Sequence, residues 1–364
     1  MGDLMQVDRR VVYSAALCSI LFSYLIHHPL LSNPIYSDIV SFWYRGFRDA
    51  RLPYLDLPFE YPPLAGFLTY VSSIAGRSVS SYYTIFSIIV AVFYLLLVEV
   101  TIRICRDRGI SLGYAMIFLA LSPSVILYSI YNFDVIFASM LTSSLYLFMK
   151  RRLKLSAILF SMASLVKLVN LILLPFLILR LEGRREKVLY AILSLTIFGA
   201  VNLALWILNP SFIDETYLYH ARWGLENAWF LIFFPSKSSW DLAKIFSLFL
   251  LCYGLLKVYV RGFEDLITEA FAVLAIFLLS NYVFTPQMAL WILPLLAAMG
   301  RIPIPYLGFE LANSMIIILW FESPNPVELG SPPQYFALLR ALMLFMLLVE
   351  AYFGLGRVGS EREG

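Results

Sequence analysis

Ten stretches of this chain are apolar over lengths at or near what a bilayer crossing requires: about 11–27, 81–102, 110–128, 134–149, 187–208, 241–259, 266–283, 288–300, 303–321 and 334–354. A membrane-spanning helix needs roughly 17–25 such residues. A soluble fold has no interior large enough to hide ten of them. Composition agrees: 61% of residues are hydrophobic and 14% charged, with mean hydropathy +0.80, against about 45–50% and about 25% in soluble domains. No polar linker interrupts the pattern, so residues 1–364 read as one membrane domain. The expected fold class is all-α, a polytopic transmembrane helical bundle of about 10–12 membrane segments. No cleavable leader with an A-x-A-like site is visible, so the first apolar stretch is expected to stay as a signal anchor.

Cys18, Cys105 and Cys252 all lie in apolar stretches and show neither disulfide nor zinc spacing. His27, His28 and His220 do not form a ligand cluster either. No metal site is expected, and nothing suggests a nucleic-acid partner.

Orientation follows from the short loops. Basic clusters fall at Arg103, Arg106 and Arg108; at Lys150, Arg151, Arg152 and Lys154; and at Arg180, Arg184, Arg185 and Lys187. Lys257, Arg261 and Arg301 continue the series. Basic loops stay in the cytoplasm. With Arg9 and Arg10 inside, every cluster falls inside, and with Arg357 and Arg362 that side holds 18 of the 27 Lys and Arg residues. The opposite face receives the segments 28–80, 129–133, 209–240, 284–287 and 322–333.

Two segments do not fit as ordinary spans. Residues 61–76 are short, and a crossing there would invert everything downstream, so they are expected to lie in or dip into the outer interface. Residues 155–180 carry basic clusters at both ends, which one crossing would violate, and are too short for two full crossings. Two half-helices that enter and leave on the cytoplasmic side satisfy both constraints, with Lys167 near the tip. A plain tilted span is the other reading.

The polar chemistry gathers in the outer loops. The first, 28–80, carries Asp38, Arg45, Tyr54, Glu60 and Tyr61 among many aromatics. Rings that stack on sugar faces and carboxylates that accept hydroxyl hydrogen bonds suit a sugar; an interfacial aromatic belt with solvated charges has the same composition. Asp38, just past the first span, has the chemistry of a general base, or is an ordinary loop aspartate. Asn132 and Asp134 fill a very short loop, where they either cap a helix or belong to a site. Lys167 sits inside an apolar run, and an ionisable residue at membrane depth is by default a functional candidate, snorkelling being the alternative. In the second loop, 209–240, His220 and Arg222 suit phosphate, beside Glu226. Gln287, in the tight turn 284–287, either binds a sugar hydroxyl or satisfies helix ends.

Taken in order, Tyr36-Ser37-Asp38-Ile39, Pro53-Tyr54, Tyr61-Pro62-Pro63-Leu64, Asn132-x-Asp134, Lys167 before a run ending in Pro175, Tyr219-His220-x-Arg222 and Pro286-Gln287-x-x-x-Trp291 resemble the GT-C superfamily of membrane glycosyltransferases. The likeness is greatest to polyprenyl-phosphate-mannose-dependent mannosyltransferases, including the phosphatidylinositol-glycan first mannosyltransferase and its prokaryotic relatives. It runs from about residue 30 to 295. It implies a GT-C-like bundle with interfacial or re-entrant helices, in a prokaryotic cell membrane, with chemistry on the outer face. It also implies a polyprenyl or dolichyl phosphate sugar donor, most often mannose, and a lipid or glycan acceptor. By position Asp38 matches the family's first-loop acid, the base of an inverting transfer. The phosphatidylinositol-glycan enzymes carry Asp-x-Asp there, whereas this chain has Asp38-Ile39-Val40. A divalent metal is therefore not supported by a paired-Asp motif, and no cofactor is implied. Past about residue 300 little motif remains. The rival readings are a transporter or flippase for a lipid-linked sugar, which would need polar groups at both faces, and a polymer ligase, which would want a larger outer loop.

Overall fold

Hydrocarbon offers no partner to a backbone N–H or C=O, so a segment that enters it becomes helix. In a computed structural model, which describes residues 7–32 and 35–354, the chain runs α1 (Arg9–Ile26), α2 (Asp38–Tyr44), α3 (Pro63–Ala75), α4 (Val79–Asp107), α5 (Leu112–Ala115), α6 (Pro123–Tyr128), α7 (Asp134–Met149), α8 (Leu153–Ser164), α9 (Leu174–Leu179), α10 (Arg184–Leu208), α11 (Tyr219–Ala221), α12 (Trp240–Arg261), α13 (Leu266–Ser280), α14 (Leu293–Met299), α15 (Ile304–Trp320) and α16 (Pro332–Phe353). Short 3-10 or π turns join several of them, and no strand forms among the described residues. The protein is an all-α membrane bundle. Arg357 and Arg362 lie outside the described residues.

Each of the ten apolar stretches is helical. Five helices, α1, α4, α10, α12 and α16, are long and apolar enough to cross a membrane alone. The shorter ones lean on neighbours. Every residue of α7 from Asp134 to Leu145 is buried, as a helix apolar on all sides requires, and α13 is nearly as enclosed.

Ion pairs tie one end of the bundle together: Arg9 and Arg103 with Glu99 (2.7 and 2.6 Å), Lys150 with Asp107 (2.9 Å), Arg108 with Asp265 (2.5 Å), Arg180 with Glu269 (2.5 Å) and Arg151 with Glu186 (3.1 Å). These residues start α1, α8, α10 and α13 and finish α4, α7 and α9. The basic clusters therefore share one end of the bundle.

The segment 155–180 folds as a hairpin of two short legs. Ser156 meets Tyr190 (3.0 Å), and the Phe198 N–H donates to the Ser161 hydroxyl (2.9 Å), so α8 ascends alongside α10. The helix stops at Ser164, and Lys167 is extended (φ −150°, ψ 140°). A 3-10 turn, Leu168–Leu173, and α9 then descend to Arg180, whose guanidinium bonds the carbonyls of Phe263 and Glu264 back at the basic end. Asn170 pins the two legs, donating to the Phe160 carbonyl (2.8 Å). Within the segment 61–76 the chain forms α3. Its 13 residues span only about 20 Å, and its Leu64 N–H donates to the Leu165 carbonyl at the hairpin tip (2.8 Å).

Candidate active site

At the end opposite the basic clusters, the first long loop is stitched to the turn before α7. The Ser37 hydroxyl donates to the carbonyls of Ile130 and Tyr131 (both 3.1 Å). This brings Asp38, the first residue of α2, against Asn132. The Asn132 amide donates to Asp38 Oδ2 (2.7 Å) and to the Tyr61 hydroxyl (3.0 Å), while its own oxygen accepts the Phe133 N–H (2.6 Å). A fully buried asparagine with its amide spent in this way orients a carboxylate and a phenol together.

A second group adjoins it. Asp134 is completely buried. Its Oδ1 receives the Lys167 ammonium at 3.1 Å and the Trp291 indole N–H at 2.7 Å. The Lys167 nitrogen also stands over the rings of Tyr61 (5.4 Å) and Trp291 (5.7 Å). An ammonium has three donors, and only one is engaged with Asp134. Tyr61 links the groups: its hydroxyl belongs to Asn132, its face to Lys167, and its edge to His220 at a ring separation of 5.8 Å. At the rim Arg45 makes a two-pronged pair with Glu60 (2.6 and 2.7 Å). Beside α2 a cavity of about 900 Å³ is lined by Tyr36, Ser41 and Arg45 on one side and Ile317 and Phe321 on the other.

Burial pushes the Asp38 carboxyl up to about 6; Tyr36 and Lys167 oppose this, and Asp134 and Glu60 reinforce it. Burial likewise raises Glu226 to about 7, with Asp38 adding repulsion and Arg340 opposing. His220 is lowered by burial and then by Lys167, which keeps its imidazole neutral. The site thus holds a carboxylate able to take a proton near neutral pH, beside a fixed cation.

Asp38, Arg45, Glu60, Tyr61, Asn132, Asp134, Lys167, His220 and Glu226 are brought to this end, as the loop order suggested. Two residues change role. The Tyr54 hydroxyl is consumed by backbone: it donates to the carbonyls of Tyr61 and Pro62 (both 2.8 Å) and accepts the Gly66 N–H (3.1 Å). It shapes the Tyr61 loop rather than facing a ligand, and Gly66 must lack a side chain because a Cβ would collide with that phenol. Arg222 is exposed and ion-paired with Asp214, which the π turn Asp214–Leu218 carries round to it. Gln287 is buried at the start of the 3-10 turn Pro286–Trp291, and its Oε1 has no protein partner.

Trp291 appeared in the sequence only as part of a motif; its bond to Asp134 spans 157 residues. Arg340 and Glu310 lie outside every motif of the sequence, and their recognisable signal is that of ionisable residues inside apolar spans. Among the described residues no group of three or more His, Cys, Asp or Glu side chains could hold a metal ion.

The sequence matches the family model for the N-terminal domain of alpha-(1->6)-mannopyranosyltransferase over residues 53–183. Over that stretch the chain resembles this mannosyltransferase domain. The matched part includes Glu60, Tyr61, Asn132, Asp134 and Lys167, and ends short of Asp38 on one side and His220 on the other. Two solved structures of ArnT from Cupriavidus metallidurans, one bound to undecaprenyl phosphate and one in the apo state, align with 95% of this chain and 77% and 76% of theirs, at 16% identity and a TM-score of 0.48.

Proposed function

We propose that this protein is a membrane glycosyltransferase that moves a sugar, mannose first among candidates, from a polyprenyl phosphate donor to a hydroxyl acceptor, by inversion, with Asp38 as general base. The observation that carries the reading is the adjacency of two built groups at one end of the bundle: Asp38 held by Asn132, whose amide also bonds the Tyr61 hydroxyl, and Lys167 caged by Asp134, Tyr61 and Trp291. The match to a mannosyltransferase domain supports the choice of sugar. The acceptor is a lipid- or glycan-linked hydroxyl.

The chemistry balances as a single displacement. The acceptor oxygen attacks the anomeric carbon and gives its proton to Asp38. The bond from that carbon to the donor phosphate oxygen breaks, and the electron pair leaves with the polyprenyl phosphate. Negative charge grows on that phosphate, and a preorganised cation nearby lowers the barrier. Lys167 serves here, with two N–H groups beyond its Asp134 bond. A raised carboxyl pKa suits a base that works near neutral pH. The basic clusters at the opposite end support an inner location for that end and a site on the outer face of a cell membrane, prokaryotic by the family likeness. The ion pairs that tie the basic end also speak against a flippase, which needs access from both faces.

The test is transfer by purified protein in liposomes from labelled polyprenyl phosphomannose, phosphoglucose and phosphoarabinose to a cell lipid extract. Transfer from one of them is expected. Intact protein that transfers none, yet moves the donor across the bilayer, overturns the enzyme reading in favour of the flippase.

A further inference from the structure

The helix α16, which carries no motif, contributes the largest fully buried side chain among the described residues. Arg340 of α16 is wholly enclosed. Its Nη1 donates to Asn313 Oδ1 (2.9 Å), its Nη2 donates to the carbonyls of Phe284 and Asn227 (the latter 3.3 Å), and its guanidinium lies 3.6 Å over the Phe284 ring. None of these contacts is a salt bridge. A buried guanidinium without a counter-ion carries a desolvation cost that only its hydrogen bonds and ring contact offset.

What it enforces is a junction. Glu226 and Val283 pair as a parallel bridge: the Glu226 N–H donates to the Tyr282 carbonyl and the Phe284 N–H to the Glu226 carbonyl (both 2.9 Å). Asn313, held by Arg340, donates in turn to the Pro286 carbonyl (3.0 Å). Arg340 thereby clamps the second outer loop to the turn that starts the Trp291 helix, and Trp291 holds Asp134 in the proposed site.

At this junction side-chain polar atoms are buried without protein partners: both amide atoms of Asn227, the Thr285 hydroxyl and Gln287 Oε1. Asn227 is 1% exposed and Gln287 5%. Buried polar side chains in native proteins are nearly always satisfied, and leaving an amide unpaired costs more than its bond returns. Asn227 also sits at φ +53°, a left-handed conformation that asparagine adopts more readily than most residues, and it leaves the side-chain amide free of protein partners.

We propose that Asn227, Thr285 and Gln287 form the subsite that reads the hydroxyls of the donor sugar, and that Arg340 is its positioning residue. The chemistry fits a hexose: one amide that both donates and accepts, one hydroxyl, and one carboxamide oxygen that accepts. The subsite rests on the glycosyltransferase reading above and adds to it the groups that choose between epimers. A site built to bond a hydroxyl rejects the analogue that presents it wrongly far more strongly than an apolar pocket can.

The experiment measures the ratio of kcat/KM for polyprenyl phosphomannose to that for polyprenyl phosphoglucose in wild type, Asn227→Gly, Gln287→Leu and Arg340→Lys. Glycine keeps the left-handed backbone, and a ratio cancels any loss of folded enzyme. Loss of one reading group is expected to narrow the ratio by about tenfold, the equivalent of one net hydrogen bond. Arg340→Lys, which keeps the charge but not the fork, is expected to narrow it as well. A wild-type preference that survives both the Asn227 and Gln287 substitutions overturns the subsite alone. Wild-type protein that transfers from none of polyprenyl phosphomannose, phosphoglucose and phosphoarabinose overturns the functional reading and the subsite with it, and transfer without a preference between the two hexoses overturns the subsite alone.

Discussion

Replacing Lys167 by methionine separates the two roles its position offers, structural and chemical. Asp134 is fully buried and Lys167 is 12% exposed, at 3.1 Å. Two unit charges at that separation attract by about 5 kcal/mol at an effective dielectric near 20. Removing one partner of a buried pair leaves an uncompensated charge and costs about 3–5 kcal/mol. Trp291 still donates to Asp134 Oδ1, which holds the loss toward the lower figure. The expected outcome for Lys167→Met is a melting temperature lower by several degrees in detergent, together with loss of transfer. The informative protein is the double variant Lys167→Met/Asp134→Asn. It buries no charge and keeps an oxygen for Trp291, so its stability should return to within about 1 kcal/mol of wild type. Its transfer should not return, because the cation that meets the leaving phosphate is still missing. Recovery of transfer with stability would refute the chemical role and leave Lys167 as a counter-ion for Asp134 only. A single variant as stable as wild type would refute the claim that the pair is desolvated.

The pH profile has a defined sign. Asp38 is raised to about 6, so the base is protonated and idle on the acid side; kcat/KM should climb between pH 5 and 7 and then level, and a flat profile across that window would count against Asp38. Tyr54→Phe strands two carbonyls and the Gly66 N–H; it should cost about 1–3 kcal/mol in thermal stability while the folded fraction keeps its donor KM. Arg222→Ala removes an exposed pair with Asp214, worth at most about 1 kcal/mol, and transfer should fall by less than about twofold; a larger fall would return Arg222 to the site.

The bundle is legible in the sequence because a bilayer imposes one rule on every span. The irregular part is half legible: basic clusters at both ends of 155–180 allow either a returning hairpin or a tilted span, and the fold turns the segment back with Lys167 at the tip. The site is legible where loop order carries it. Asp38, Glu60, Tyr61, Asn132 and Lys167 converge because short loops and the hairpin leave them one common end. What is not legible is pairing across the chain. Nothing in local spacing says that Trp291 holds Asp134, or that Arg340 reaches Asn227 and Phe284 from the last helix. Arg222 misleads for the same reason. Its residue type suits phosphate, but a π turn eight residues earlier supplies Asp214 as a nearer anion. Tyr54 is a tyrosine among sugar-compatible aromatics until the tertiary fold spends its hydroxyl on three backbone groups.

The central claim, that Asp38 is the base of a sugar transfer, is tested most directly by Asp38→Asn in the reconstituted assay with labelled polyprenyl phosphomannose. The side chain keeps its shape and loses its basicity. Proton transfer by a positioned base contributes roughly 10²–10⁴-fold, so transfer should drop by at least about a hundredfold at pH 7.5 while donor binding and melting temperature stay near wild type. Full transfer by a folded Asp38→Asn protein would contradict the account.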